Sequence, residues 1–237
     1  SIERTNRPIF APERMTPVEL SRILGVTEGI TALIGSGGKT TAMYLLAQEL
    51  SQRGTVICTT STHIVAPSHI PVLLTPREEQ VAHGLTASRV ICVGSPAPEG
   101  KLAAPPLPWD TLTALADFVL VEADGSRQLP CKAHLPHEPV IPPEARQCVL
   151  LVGASGLGQA VSQAAHRPEV FCRLSGLEPD DVITPQALAA VLLQENLADK
   201  VLINQAETPL ALEQAREIAS LLTVPVFAGS LRKRSFL

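Results

Sequence analysis

A glycine-rich segment between an apolar run and a helix-like run constrains the fold of this chain more than any other feature. The segment Gly35-Ser36-Gly37-Gly38-Lys39-Thr40-Thr41 follows the apolar run Ile30 to Ile34 and leads into the run Thr41 to Leu50. A strand that passes through a glycine turn into a helix is the starting unit of α/β folds with parallel sheets. We therefore expect an α/β domain with a ligand-binding loop at this turn.

The residue types of this segment indicate that it binds phosphate. Glycines let backbone amides turn around an anion, the helix offers its positive end, and Lys39 adds a full charge. Thr40 is then placed to hold Mg²⁺. Because Leu33 stands where the full Walker pattern has its first glycine, the loop is a shortened G-x-x-G-K-T form. The nucleotide-binding residues predicted here are Gly35, Ser36, Gly37, Gly38, Lys39, Thr40 and Thr41. A plain chain reversal is the alternative.

Composition limits the class of protein. The chain has 237 residues, of which 45% are apolar and only 3% aromatic, so its core is aliphatic, as in buried parallel sheets. We predict a flexible segment over 1–15 and a single domain over 16–237. The net charge of −4 and the lack of a basic stripe with aromatic residues argue against nucleic-acid binding. Arg232-Lys233-Arg234 is interpreted as a solvated tail.

Cysteine usage and hydropathy indicate a cytoplasmic protein. The five cysteines are widely spaced and form no C-x-x-C pair, which favours a reducing compartment. No apolar run approaches the roughly 20 residues that cross a bilayer, so no membrane association is expected. The number of subunits is left open by the sequence.

A second informative stretch contains two acids. Phe118 to Val121 reads as a buried strand, and Glu122 and Asp124 follow at its carboxyl end, where open α/β sheets bind their ligands. Residues two apart in a strand share a face, so one acid is placed to hold Mg²⁺ and the other to orient a nucleophile. We predict Glu122, Asp124 and Lys39 as catalytic residues, and Asp124 also as a metal ligand. An exposed acidic turn is the alternative.

Hydroxyl side chains follow the strand Thr55 to Cys58. In Thr59-Thr60-Ser61-Thr62, alternation places Thr60 and Thr62 on one face, so only part of the run can face a phosphate or metal. We predict Thr60 as a further Mg²⁺ contact, reached directly or through water. The alternative is the ordinary preference of threonine for strands.

Cations and histidines near the acids suggest further contacts. Arg127 and Lys132 lie in the loop after the acids, and Arg167 precedes a helix, where it is predicted to contact phosphate or to cap the surface. A metal site from His134, His137 and Glu138 is considered but lacks helical spacing. Gly153 to Gly158 is either a second ligand loop or a turn.

A polar turn after a late strand suggests base recognition. Asn204-Gln205-Ala206-Glu207 follows the strand Lys200 to Ile203 and occupies the place where guanine-binding proteins carry Asn-Lys-x-Asp. Glu207 could accept hydrogen bonds from guanine that adenine does not offer, with Asn204 beside it, although Gln205 and Glu207 depart from the pattern. ATP and GTP therefore both remain candidates, and a plain polar turn is the alternative.

Alternating strand-like and helix-like segments complete the chain. A helix start is predicted at Thr16-Pro17, and Ser95 to Pro108 is read as a surface excursion. Predicted strands are 71–74, 89–93, 148–152 and 225–228. Predicted helices are 76–85, from about 109, 166–174, 185–195 and 209–222. This rhythm predicts a doubly wound, mainly parallel sheet.

Several motifs in order resemble the YqeC family over about residues 18–230. They are Leu120 to Ser126, Lys132-Ala133, Glu138 to Pro142, Gly158 and His166 to Glu169, together with the phosphate loop and Thr59 to His63. The resemblance implies an accessory role for selenium-dependent molybdenum hydroxylases, with a hydroxylase or its cofactor as partner. We therefore expect a Mg²⁺-dependent NTPase of P-loop type that acts in maturation of such a cofactor. A nucleotide-gated delivery protein with negligible hydrolysis is the alternative.

Overall fold

A computed structural model describes residues 18–237 of the chain, and its centre is a mainly parallel sheet. The strands of this sheet lie in the order β12-β11-β9-β1-β7-β2-β5, and β4 also pairs with β5. In chain order they are β1 (Gly29–Gly35), β2 (Val56–Thr60), β4 (Val72–Leu74), β5 (Val90–Pro96), β7 (Phe118–Glu122), β9 (Ala145–Gly153), β11 (Lys200–Asn204) and β12 (Val226–Ser230). All of these pairings are parallel, so their carboxyl ends meet at one edge.

Helices cover both faces of the sheet because the central strands are apolar on both sides. The helices are α1 (Leu20–Ile23), α2 (Lys39–Leu50), α3 (Glu78–Ala87), α4 (Trp109–Leu115), α5 (Val161–Ala164), α6 (Pro168–Ser175), α7 (Pro185–Glu195) and α8 (Pro209–Leu221). Leu33 of β1 belongs to the core shared with α1 and α2, whereas its neighbours Ala32 and Ile34 belong to the opposite core. The alternation along β1 is the reason that the sheet is wound on both sides.

Short strands extend the architecture beyond the predicted elements. Three pair antiparallel at the edges of the large sheet: β3 (His63–Val65), β6 (Lys101–Ala103) and β13 (Ser235–Phe236). Two others, β8 (Cys131–Lys132) and β10 (Ala165–His166), form a separate two-stranded parallel sheet. The excursion predicted over 95–108 is therefore partly wrong, since β6 lies in the sheet.

The predicted α/β class with a mainly parallel sheet is confirmed, and most predicted elements lie within a few residues of the observed ones. Helix α2 begins at Lys39 rather than Thr41, and β9 begins three residues before Cys148. The predicted cap at Thr16 and the flexible segment 1–15 lie outside the described residues; α1 has Glu19 as its N-cap. Within residues 18–237, no helix is both long and apolar enough to cross a membrane.

Candidate nucleotide and metal site

The phosphate loop leaves the sheet at its centre, where β1 lies between β7 and β9. Gly37 has φ +78°, and a Cβ there would lie 2.4 Å from the main-chain nitrogen of Gly153 at the end of β9. Gly35, with φ +90°, is similarly close to the Leu151 carbonyl. Only glycine fits such a left-handed backbone against another strand. The glycines are thus required by packing as well as by chain reversal.

The start of α2 is open to an anion. Its N-cap, Gly38, supplies no side-chain cap, so the first backbone N–H groups of the helix have no intrahelical or side-chain acceptor within residues 18–237. The Ser36 hydroxyl is buried in the same loop and has no hydrogen-bond partner among the residues that the structure describes. Unpaired donors at a helix N-terminus favour a phosphate group. The loop therefore offers hydrogen-bond donors to an anion, and its binding of phosphate remains a prediction.

Lys39 and Asp124 form a buried ion pair between the loop and the end of β7. Lys39 Nζ donates to the Asp124 carboxylate and, at 2.8 Å, to its main-chain oxygen. The side chain of Lys39 is 6% exposed and that of Asp124 is fully buried. Breaking such a buried pair leaves an uncompensated charge, so the two residues hold each other in place.

Asp124 is also the centre of a larger polar network. Its Oδ2 atom accepts from the Gly35 main-chain N–H at 2.8 Å and lies 2.7 Å from Nε2 of His134, whose Nδ1 lies 2.7 Å from Oε2 of Glu195. Burial alone raises the pKa of Asp124, but the His134 hydrogen bond and the charges of Lys39 and Lys132 outweigh it and lower that pKa. Asp124 is therefore ionised, and its carboxylate is bonded to Gly35, Lys39 and His134.

Glu122 and Thr40 form the pair that fits a divalent cation. Thr40 Oγ1 donates to Oε1 of Glu122 at 2.8 Å, directly beside the start of α2. Burial raises the pKa of Glu122 above its ordinary value, against the opposing effects of Lys39 and Thr40. Hard oxygen ligands near a phosphate site suit Mg²⁺, and a cation held by these two side chains would offset the burial of the carboxylate. The residues present thus fit a magnesium ion held with the nucleotide phosphates.

The threonine hydroxyls at the end of β2 form hydrogen bonds with main-chain atoms. Thr60 Oγ1 donates to the main-chain oxygen of Glu122 at 2.9 Å and accepts from Thr62 N–H at 2.9 Å. Thr59 Oγ1 donates to the Val93 carbonyl at 2.7 Å. These contacts fix the positions of neighbouring strand ends, and Thr60 as a Mg²⁺ contact remains a prediction.

The β8–β10 sheet brings a cationic group to the same edge. Lys132 Nζ is fully buried and lies 3.6 Å from Asp124 Oδ2 and 3.5 Å from Glu138 Oε2, while Arg167 pairs with Glu138 at 2.7 Å. Burial acts to raise the pKa of Glu138, but Arg167, the Leu135 N–H and Lys132 outweigh it and lower the pKa to about 2. Arg167 thus lies at this edge of the sheet with Glu138 as its partner, and its contact with phosphate remains a prediction.

The metal site considered at His134, His137 and Glu138 does not form. Both ring nitrogens of His134 face carboxylates, and Glu138 is paired with Lys132 and Arg167. Residues 18–237 contain no group of three or more His, Cys, Asp or Glu side chains arranged to bind a metal. His134 and Glu138 therefore take part in ion pairs with other residues.

The turn after β11 is hydrogen-bonded to the phosphate loop. Asn204 donates to the Gly37 carbonyl at 2.7 Å and accepts from the Leu231 N–H at 2.9 Å. Glu207 accepts from Ser230 at 2.7 Å and Arg232 at 2.6 Å, and these contacts lower its pKa to about 2. The tail cation Arg232 is therefore paired, and reading of guanine by Glu207 remains a prediction.

One cleft of about 800 Å³ unites most of the predicted site residues. Those that line it are Gly37, Gly38, Lys39, Thr40, Thr41, Glu122, Asp124 and Arg167. Those that do not are Gly35, Ser36, Thr60, Asn204 and Glu207. His63, Lys101, Gln205 and His166 also line it, and the sequence analysis had not selected them as site residues. Ser155 lines it from the second glycine loop, while Gly153 accepts the close approach of Gly37.

Comparisons with known proteins place the chain in a family. The family described as YqeC protein matches residues 31–169. The "Uncharacterized protein YqeC" of Escherichia coli (strain K12) is 35% identical over 171 residues, which cover 69% of this chain and 67% of that protein. In the crystal structure of the signal recognition particle 54 kDa protein from Aeropyrum pernix K1 in complex with GDP, the match has 15% identity and a TM-score of 0.43, covering 90% of this chain but only 44% of the other. On the family match and the 35% identity, this chain belongs to the YqeC family.

Proposed function

We propose that this chain is a Mg²⁺-dependent nucleoside triphosphatase or phosphotransferase. The observation that carries the proposal is the contact of Thr40 with Glu122 at 2.8 Å beside the uncapped start of α2 and the amine of Lys39. The loop amides and Lys39 would bind the phosphates, and Glu122 with Thr40 would hold the metal, which supplies charge neutralisation during phosphoryl transfer. Asp124 would orient Lys39, and all of these groups face one cleft.

Calorimetric titration of ATP and GTP with Mg²⁺ tests the proposal. We expect saturable binding by the wild-type protein and its loss in Lys39→Ala. Lys200→Ala is the matched control, because Lys200 begins β11 at the opposite end of the sheet. Thr40→Ala leaves the Lys39–Asp124 pair intact. This variant should still bind the nucleotide, but Mg²⁺ should no longer increase its affinity. Unchanged affinity in a folded Lys39→Ala protein would overturn the phosphate-loop assignment.

The Lys39–Asp124 pair favours a second function of a different class. A phosphate that attracts Lys39 competes with Asp124, which is bonded to Gly35 and His134. Nucleotide binding could then rearrange this network and gate the binding or delivery of another molecule. Single-turnover hydrolysis separates the two functions. A hydrolysis rate equal to that of the nucleotide in buffer without protein would support the gated protein. Hydrolysis that depends on Mg²⁺ and on the protein would support the enzyme.

Family resemblance alone supports a biological role in maturation of a selenium- or molybdenum-containing cofactor of a hydroxylase. The five free thiols are compatible with the cytoplasmic location expected for that role. Cells that lack the protein should lose a selenium-dependent hydroxylase activity and keep selenoprotein synthesis. Retention of that hydroxylase activity with ample selenium would rule the role out. A hydroxylase or its cofactor is the partner this role proposes.

A further inference from the structure

The cleft has a second wall that the phosphate loop does not supply. Arg127 and Gln128 project from the segment after β7, and His166 and Arg167 come from the end of β10. Lys101 contributes from the edge strand β6. At about 800 Å³ the cleft lies near the upper end of the range for small-molecule sites. The wall can therefore contact a ligand that the loop does not hold.

Charge on this wall exceeds what its own acids neutralise. Arg127 lines the cleft with no ion-pair or hydrogen-bond partner found for its side chain in the described part of the chain, and the buried Nε of Arg167 has no partner although its Nη2 pairs with Glu138. Lys132 lies fully buried behind the wall. Burial, followed by the charges of Lys132, Arg167 and Arg127, lowers the pKa of His166. The local field thus favours an anion.

Backbone strain is concentrated around the same cleft. Among residues 18–237, eight non-glycine residues have positive φ, and four of them line it: Arg127 (+49°), Gln128 (+60°), Arg167 (+62°) and Gln205 (+63°). Such conformations cost of order 1–3 kcal/mol each and persist where the surroundings require them, often at ligand sites. Two of the strained residues are the arginines of the wall, so the strain coincides with the cations that face the cleft.

We propose that Arg127 and Arg167 form a subsite for a second ligand, a small oxyanion bearing a phosphate or carboxylate group, that binds beside the nucleotide. The subsite rests on the proposed function, because the phosphate loop must be filled by the nucleotide for the two anions to be distinct. Guanidinium groups bind both kinds of oxyanion through paired N–H donors. Glu122 and the start of α2 would then face the nucleotide, and the arginines would face its co-substrate.

The test uses the full chain saturated with Mg²⁺ and a non-hydrolysable β,γ-imido nucleotide. Inorganic phosphate and pyrophosphate form one arm of a calorimetric titration, and succinate forms the other, so that the arms distinguish phosphate from carboxylate. We expect saturable binding in at least one arm, weakened roughly tenfold or more in Arg127→Ala and in Arg167→Gln. Arg173→Ala, an exposed arginine on α6 that does not line the cleft, should bind as the wild type does.

Each contrary result has a distinct meaning. Failure of the wild-type protein to bind the nucleotide would overturn the proposed function together with this subsite. Nucleotide binding without saturable binding in either arm would overturn the subsite alone. Anion binding that survives in Arg127→Ala, or that displaces the nucleotide, would also overturn it, because the anion would then occupy another place or the phosphate loop.

Discussion

The amine of Lys39 lies 2.8 Å from the main-chain oxygen of Asp124 and also donates to its carboxylate, so the phosphate loop and the end of β7 are joined by a buried ion pair. Asp124→Asn should destabilise the fold, because an amide replaces a carboxylate that faces Lys39, His134 and the Gly35 N–H. We expect a loss of about 3 kcal/mol in urea unfolding. The exposed Asp180→Asn is the control and should change stability by less than about 0.5 kcal/mol.

Glu122→Gln should separate metal-dependent turnover from nucleotide binding. Glutamine keeps the shape and an oxygen for the Thr40 hydroxyl but removes the charge that would hold Mg²⁺. We expect nucleotide affinity without Mg²⁺ to be unchanged and Mg²⁺-dependent turnover to fall by roughly 10²-fold. A phosphate-release assay measures it, with the exposed Glu144→Gln as control. Full turnover in Glu122→Gln would remove this residue from the metal site.

Gly37→Ala and Gly100→Ala form a matched pair that isolates packing at the loop. Both glycines have positive φ, +78° and +68°, but a Cβ at Gly37 would meet Gly153, whereas a Cβ at Gly100 would have no described atom within 4 Å. Both variants should lose about 1 kcal/mol to backbone strain. Only Gly37→Ala should also weaken nucleotide binding, as measured by calorimetry. Equal nucleotide affinities in the two variants would contradict close packing of the loop on β9.

The His134 bridge predicts that stability falls as the pH rises above the ordinary histidine pKa of about 6.5. Burial lowers the pKa of His134, but its hydrogen bonds and charge interactions with Asp124 and Glu195 outweigh burial and raise it. A raised folded-state pKa contributes stability that is present below about pH 6.5 and is lost as the pH rises through the folded value. Urea unfolding of the wild type from pH 6 to 9 should show this loss. His134→Gln should flatten it, and a parallel pH profile in that variant would refute the assignment.

Base preference is predicted to be weak. Glu207 already accepts hydrogen bonds from Ser230 and Arg232, so guanine would have to replace existing partners. We expect the affinities for GTP and ATP to lie within about tenfold of each other, because the Glu207 carboxylate is already hydrogen-bonded and can distinguish the two bases only weakly. Thermal-shift titrations with GTP, ATP and CTP measure this. A larger GTP preference that disappears in Glu207→Ala would show that Glu207 reads the base.

Sequence reasoning found the features that depend on local pattern. The apolar run of β1, the glycine loop and the start of α2 are adjacent in the chain, and the acids after β7 follow directly from a buried strand. Parallel pairing of β7 with β1 then brings Glu122 beside Leu33 without further information. These features can be predicted from hydrophobic periodicity together with one rule, that the carboxyl ends of parallel strands share the edge of the sheet where ligands bind.

Other features depend on pairings that a pattern does not encode. Strands β8 and β10 have two residues each, too few for any periodicity, yet their pairing brings His166 beside Lys132. Lys132 and His166 are 34 positions apart in the chain, and His134 and Glu195 are 61 apart, so tertiary packing brings both pairs together. The contacts of Asn204 with Gly37 and Leu231 belong to the same class, because these partners lie 167 and 27 positions away in the sequence. A contact of Asn204 with the base stays a prediction.

The two bonds of Asn204 couple the loop to the turn after β12 thermodynamically. One amide group holds the Gly37 carbonyl and the Leu231 N–H, so a shift of either segment changes the geometry available to the other. Thermodynamic linkage is reciprocal. If a molecule that binds the turn changes the affinity for the nucleotide by some factor, the nucleotide changes the affinity for that molecule by the same factor. Any molecule that binds the turn after β12 and shifts Leu231 would therefore be linked to occupancy of the loop through Asn204.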